Sequence, residues 1–331
     1  MKTRNVFGWL ARIVIALVFM LSAVTKYISL DAFDQFIYEH QLFSWITTTI
    51  LTRLLIATEF TLGLLLLVGV KPKLIKWLII AFLVFFTIYI VTKPYLFPVE
   101  EDNCHCFGDV FIMSDKQTLI KNICLLLLSY FMFWNKGLSS VKKEQQEPLQ
   151  PQDEKKNKVV FWLQNNQTYL TVVSFVAVLI LAFGINMPDT LRYKLYGKAA
   201  KIDEPKFEYL ISNESLADLH IKEGKKIVCM YSPVCKYCKK TAKRLDVMRK
   251  KYNIKEDNFA LIFWGGDEAI ERFFKKNEIE PLPYKNVPAS VFLQATKGRQ
   301  PVVILMNNGK VEKLLKYPNI LDKDIMEFLN K

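Results

Sequence analysis

Six cysteines are present, and four of them fall in two tight pairs. Cys104 and Cys106 lie in the polar segment Asp102-Asn103-Cys104-His105-Cys106-Phe107-Gly108. Cys235 and Cys238 lie in Tyr231-Ser232-Pro233-Val234-Cys235-Lys236-Tyr237-Cys238-Lys239. Scattered core cysteines do not pair in this way. Two such dithiols can hand an electron pair from one to the other, provided that both face the same side of any membrane the chain crosses. A disulfide between residues two apart closes a small, strained ring, which raises its reduction potential and suits a carrier better than a staple. Cys235-x-x-Cys238 stands between an expected strand and an expected helix, the setting in which this spacing reads as redox-active. A sulfur at a helix N-terminus faces unpaired backbone N–H groups and the positive end of the dipole, which favour negative charge on it. Lys236 adds positive charge between the cysteines, and Cys238, one turn deeper, is placed to attack a mixed disulfide on Cys235.

The other chemistries these residues suggest are weaker. Cys104 and Cys106 with His105 and Asp109 are too few for a closed zinc site, and no second Cys/His pair follows Cys238 at zinc spacing. No metal is therefore assigned, and a metal-handling protein that passes copper or zinc through the same pairs is kept as the alternative. A non-catalytic scaffold for a maturation complex is a further one. Cys229, in an expected strand, and Cys124, in an apolar run, read most simply as small buried hydrophobes. Cys124 would also be placed to meet the Cys104/Cys106 loop as a third thiol.

What must position the pairs is partly membrane. The chain has 331 residues, 51% of them hydrophobic, yet 23% are charged and the net charge is +13. This balance fits a membrane part joined to a soluble part. The excess of lysine does not point to nucleic acid, because the lysines flank apolar segments or line one expected helix, and no groove-reading motif is present. Five stretches have the length and apolarity of a spanning helix: 6–28, 46–70, 74–91, 119–134 and 169–185. Lys2 and Arg4, then Lys71, Lys73 and Lys76, then Lys136, Lys142, Lys143, Lys155, Lys156 and Lys158 share one side by parity, which the charge rule makes cytoplasmic. The N-terminus is thus expected inside the cytoplasmic (inner) membrane, and both dithiols outside it, where disulfides persist.

The expected organisation is a four-helix membrane domain over 1–137, a cytoplasmic linker at 138–158, a fifth transmembrane helix within 159–187, and an extracytoplasmic region over 188–331. The linker is rich in Lys, Glu, Gln and Pro and is expected to be disordered. The segment 30–43, with Phe33, Phe36, Ile37 and Phe43 among acids, reads as an amphipathic helix on the outer surface. Beyond about residue 206 the pattern alternates: strand 226–231, helix 235–252, strand 259–264, helix 267–277, strand 301–306, an Asn307-Asn308-Gly309 turn, strand 311–315 and helix 320–329. The fold class is an α-helical membrane bundle followed by an α/β domain.

The Cys235-Lys236-Tyr237-Cys238 helix start, with Gln300-Pro301-Val302 before the last hairpin, resembles the thioredoxin-like fold over about 206–331. The resemblance implies Cys235 as nucleophile, Cys238 as resolving thiol and Pro301 as a cis-proline beside the active disulfide. The usual Trp-Cys-Gly-Pro-Cys is absent, so substrate range does not carry over. The first four spans resemble the DoxX-like superfamily, and most of all its branch that contains the methylamine utilisation protein MauE. The matching residues are Ser22-Ala23-Val24-Thr25-Lys26, Glu59 with Gly63, and Cys104-His105-Cys106-Phe107-Gly108, where typical members have Gly in place of His105. That branch is associated with disulfide formation or maturation of extracytoplasmic proteins, often beside a thioredoxin-like partner that would here be fused.

Four charged residues fall within or at the edge of the spans. Glu59, nearest mid-membrane, is costly there unless paired or hydrated, and is expected to bond Arg12 or to assist proton movement. Lys26 and Arg53 are expected to snorkel to the outer surface. Together these readings give a membrane thiol–disulfide oxidoreductase acting on extracytoplasmic clients. A quinone enters only by analogy with other membrane disulfide enzymes, since no quinone motif is recognisable.

Overall fold

A computed structural model describes residues 2–70, 72–97, 104–134, 166–196 and 214–330. The linker expected at 138–158 and the domain start expected near 206 lie outside the described residues. The chain divides into two compact units, one of Met1–His40 with Thr48–Met187 and one of Gln41–Thr47 with Pro188–Lys331.

The first unit is helical. It contains α1 (Lys2–Ile28), α2 (Leu30–Glu39), α3 (Trp45–Val68), α4 (Pro72–Leu96), a short strand β1 (Cys106–Asp109), α5 (Asp115–Trp134) and α6 (Gln167–Ile185). Four helices among the described residues are long and apolar enough to cross a membrane: Val6–Ile28, Trp45–Val68, Leu74–Leu96 and Gln167–Ile185. The remaining expected span, 119–134, lies within the twenty residues of α5, which packs on α1 and α4. The chain is a multi-pass membrane protein. Gly63 brings α3 hard against α1, since a Cβ there would lie 2.8 Å from both the Ala16 carbonyl and Met20 Cγ. Along α6 only Ala182 is buried, and its carbonyl accepts from Tyr27 Oη at 3.5 Å.

The segment expected on the membrane surface is instead folded into the bundle. α2 forms where the sequence calls for it, but Phe33 and Phe36 pack with Ala23, Leu30 and Ile56 in an apolar cluster. Burial there removes more ring surface from water than an interfacial site would.

The second unit carries α7 (Asp189–Tyr196) and an α/β region: β2 (Lys225–Tyr231), α8 (Lys236–Tyr252), β3 (Phe259–Phe263), α9 (Asp267–Lys276), β4 (Tyr284–Asn286), α10 (Ala289–Thr296), β5 (Val302–Asn307), β6 (Lys310–Lys316) and α11 (Asp322–Asn330). The five strands form one mixed sheet in the order β4-β3-β2-β5-β6. β3 runs parallel to β2, and β5 antiparallel to it, with Tyr231 opposite Phe263 and Met230 opposite Val302. The central strands are buried continuously from Ile227 to Tyr231 and from Phe259 to Phe263. Such unbroken runs mark strands covered on both faces. A β-α-β unit followed by an antiparallel hairpin, with the Cys-x-x-Cys helix after the first strand, is a thioredoxin-like domain. β4, which the sequence pattern did not bring out, extends its edge, and α10, equally unexpected, packs Phe292 and Ala295 onto the sheet's core.

Candidate functional site

The sheet places the soluble pair. β2 ends at Tyr231, and the chain turns through Ser232-Pro233-Val234 with Cys235 N–H donating to the Ser232 carbonyl at 3.1 Å. Gly265, just after β3, gives the Pro233 ring its place, because a Cβ there would lie 2.9 Å from the ring carbons. Cys235 is the N-cap of α8, and its Sγ accepts the Cys238 N–H at 3.3 Å. Cys235 is half-buried, between exposed Val234 and Tyr237, whereas Cys238 is fully buried. Burial, then the hydrogen bond with Cys235, push the Cys238 thiol well above the ordinary range. The Lys236 side chain is exposed. The Gln300–Pro301 peptide is cis. Because Val302 pairs with Met230, Pro301 stands at the end of the sheet where the Cys235 turn begins.

The membrane pair is held by α1. The Cys104–Gly108 loop runs along this helix, and Ser22, Thr25, Lys26 and Ser29 form the stripe beneath it. Ser29 Oγ accepts Asp109 N–H at 2.9 Å. Gly108 has φ +58°, and a Cβ on it would sit 1.9 Å from Ser29 Oγ and 2.9 Å from the Thr25 carbonyl. Only glycine satisfies both the left-handed backbone and that approach. Ser22 Oγ lies 2.6 Å from the Cys106 carbonyl and 2.7 Å from Glu59 Oε1, and it accepts from Lys26 Nζ at 2.8 Å. Lys26 Nζ also binds Glu59 Oε2 at 2.6 Å. His105, with φ +48°, places Nδ1 2.9 Å from Asp109 Oδ1 and its ring 4.5 Å from that of Phe36. Among the described residues no three His, Cys, Asp or Glu side chains converge as a metal-holding group.

Both sulfurs of this loop are buried, at 3% and 6% exposure. Cys104 Sγ receives the Cys106 N–H at 3.2 Å and lies 3.0 Å from the Thr118 hydroxyl. Its thiol is held below the ordinary thiol range, first by hydrogen bonding from the Cys106 thiol, then by Thr118 and the Cys106 backbone, against the opposing effect of burial. Cys106 moves the other way, raised by that same bond and by burial. In a protein that keeps Cys104 and Cys106 but no other cysteine, modification of Cys104 by a neutral maleimide should therefore rise with a midpoint below the ordinary thiol range. Cys106→Ala removes the largest support of the thiolate and should carry that midpoint upward into the ordinary thiol range. An unmoved midpoint would show that Cys104 does not draw on its neighbour.

Several sequence expectations are corrected by these contacts. Lys26 does not snorkel: it is 2% exposed and paired with Glu59. Arg53 does not either, since its guanidinium bonds both Asp34 oxygens at 2.8 Å. A charge within the bundle is stabilised better by a fixed counter-charge than by stretching toward water. Glu59 therefore does not bond Arg12, which instead caps α3 through the Leu66 carbonyl at 2.6 Å and the Leu67 carbonyl at 2.8 Å. Cys124 is exposed on α5, whereas Thr118, Asn122, Leu125 and Ser129 form the buried stripe of that helix. It lies off the face that meets the loop, so the three-thiol relay has no support. Cys229 is buried as expected, its thiol pushed up to about 12 by burial. Sequence reasoning singled out neither Thr118 nor Ser29. The available signal was their position on the faces that carry Asn122 and Lys26.

Residues 4–135 match the family of the methylamine utilisation protein MauE. The sequence is also 26% identical to Protein TlpB of Flavobacterium psychrophilum, over 97% of this chain and 95% of that one. The N-terminal part is thus a MauE membrane domain, and the second likeness runs on through the thioredoxin-like domain to nearly the end of the chain.

Proposed function

We propose that this protein is a membrane thiol–disulfide oxidoreductase that passes electrons between its Cys235/Cys238 pair and its Cys104/Cys106 pair, for disulfide formation or maturation of extracytoplasmic proteins. One observation carries the reading: both pairs are polarised in the same sense. In each, the backbone N–H of the second cysteine donates to the sulfur of the first, at 3.3 Å in one and 3.2 Å in the other. In each, the second thiol is buried and pushed upward. That is the division of labour a two-step exchange needs, with one sulfur to attack and one to resolve.

In this reading a client thiolate attacks Cys235 of the oxidised pair, a mixed disulfide forms and Cys238 leaves as thiolate. A second client thiol then closes the client's disulfide and releases Cys235, so the client loses two electrons and the pair gains them. Exchange with the Cys104/Cys106 disulfide moves the electron pair onward, and every step reverses under the opposite driving force. The lysine-rich segments 71–76 and 136–158 support an orientation with the N-terminus in the cytoplasm and both pairs outside. A quinone, which would take two electrons and two protons to become a hydroquinone, enters as the last carrier only by analogy with other membrane disulfide enzymes, because the cavity of about 30 Å³ that Cys106 lines with Phe19, Phe82 and Phe86 admits no quinone ring.

The test is to trap the mixed disulfides. Cys238→Ser should accumulate client adducts on Cys235, visible on non-reducing gels, and Cys238→Ser with Cys106→Ser should add a Cys235–Cys104 crosslink. A folded, inserted protein that yields neither adduct would overturn the reading.

A further inference from the structure

We infer that Ser22, Lys26 and Glu59 form the proton station of the membrane pair: Glu59 takes the proton that Cys106 loses as it closes on Cys104, and returns it when the bond opens. The inference rests on the reading of Cys104 and Cys106 as an exchanging pair.

The closing reaction defines the need. The Cys104 thiolate attacks one sulfur of an incoming disulfide, which breaks and releases its second sulfur as a thiolate. Cys106 then attacks Cys104 Sγ, the Cys104–Cys106 bond forms, and the first partner sulfur leaves as a thiolate. The cysteine pair loses two electrons, the partner disulfide gains them, and one proton, that of Cys106, must go elsewhere. Cys106 is almost fully buried, so bulk water does not meet it directly.

Its surroundings supply one acceptor. Cys106 lines a cavity of about 30 Å³ together with Ser22, Lys26, Glu59, Lys121 and Asn122. That volume admits a water molecule, and these polar side chains would hold one. The charged and titratable groups facing Cys106 are Lys26 from α1, Glu59 from α3, Tyr89 from α4, Lys121 from α5 and Cys104 on its own loop. Lys26 Nζ already donates to Ser22 Oγ and Glu59 Oε2, Lys121 Nζ lies over the Phe107 ring at 4.7 Å, Tyr89 Oη is held by His40 Nε2 at 2.6 Å, and Cys104 is consumed as the nucleophile. The Glu59 carboxylate remains. Transfer moves the negative charge from Glu59 to Cys106 while the Lys26 ammonium stays beside both. The net charge of the buried site is unchanged, so no uncompensated ion is created in the bundle. Ser22, bonded to this ion pair and touching the Cys106 carbonyl, fixes the loop over the station.

The experiment uses the full chain with Cys124, Cys229, Cys235 and Cys238 replaced by alanine, in detergent micelles, mixed with dithiodipyridine in a stopped-flow instrument. Each sulfur attack releases one pyridinethione, the first from Cys104 and the second when Cys106 closes the ring. Glu59→Gln should leave the first phase almost unchanged, slow the second about a hundred-fold and flatten its pH profile. Glu59→Asp should restore much of the rate and the pH dependence. An ion pair that only holds the bundle together predicts the opposite sign, because loss of the carboxylate leaves Lys26 free to favour the Cys106 thiolate. A second phase that is unchanged or faster in Glu59→Gln therefore overturns the inference. Should Glu59→Gln fail to fold, its first phase is lost and Glu59→Asp decides: a slowed second phase with its pH dependence kept supports the station, and an unaltered one overturns it. A parent protein that gives no second phase refutes the exchanging pair itself.

Discussion

Cys235→Ser is expected to lower disulfide exchange with a reporter client by about a thousand-fold or more. A hydroxyl is a far weaker nucleophile than a thiolate, and it forms no mixed disulfide. The remaining cysteine cannot take over. Cys238 is fully buried behind Cys235 and its thiol is pushed far upward, so it neither meets a client nor ionises readily. The measurement is the rate of reduction of a fluorescent disulfide peptide, or of oxidation of its dithiol form, by the purified protein. Cys229→Ala serves as the control, because Cys229 lies inside β2 and should leave the rate where it was. Retention of more than about a tenth of the rate in Cys235→Ser would place the reactive sulfur elsewhere.

The second large effect concerns the buried ion pair. Lys26→Ala and Glu59→Ala should each destabilise the membrane domain by about 3–5 kcal/mol, since each leaves the partner charged and uncompensated inside the bundle. Lys26→Met with Glu59→Leu should recover most of that loss, because neither charge then needs a counter-ion. Unfolding in mixed micelles, followed by circular dichroism, gives the three values. If the double variant were as unstable as the sum of the single ones, Lys26 and Glu59 would be independent and their 2.6 Å contact without energetic weight.

The elements that position the soluble pair were legible in the sequence because local signals agree there. Lys226–Tyr231 is β-rich, Cys235 caps a helix with apolar spacing, and Asn308-Gly309 turns the last hairpin. The short edge strand Tyr284–Asn286 escaped notice because three residues with exposed ends carry no periodicity. In the membrane domain the helices were readable from apolarity, but their partners were not. Apolar runs report length and say little of which face meets which helix. Lys26, Arg53 and Glu59 therefore looked like separate charges to be brought to water or matched with Arg12, whereas Lys26 and Glu59 meet each other. The apolar face of α2 was equally visible, and it is Ile56 and Ala23 that receive it in the bundle. Which surface an amphipathic helix covers depends on tertiary neighbours that spacing alone does not name.

Ser22, Thr25 and Lys26 lie within about one turn of α1, and Ser29 follows just past its end, so together they form a single track on one side. The sulfur-bearing loop is tied to that track through the Cys106 carbonyl and the Asp109 N–H, and to α5 through Cys104 Sγ and Thr118. It follows that any tilt of α1 relative to α5 within the lipid is felt by the reactive sulfurs, and that bilayer thickness becomes a physical input to their chemistry.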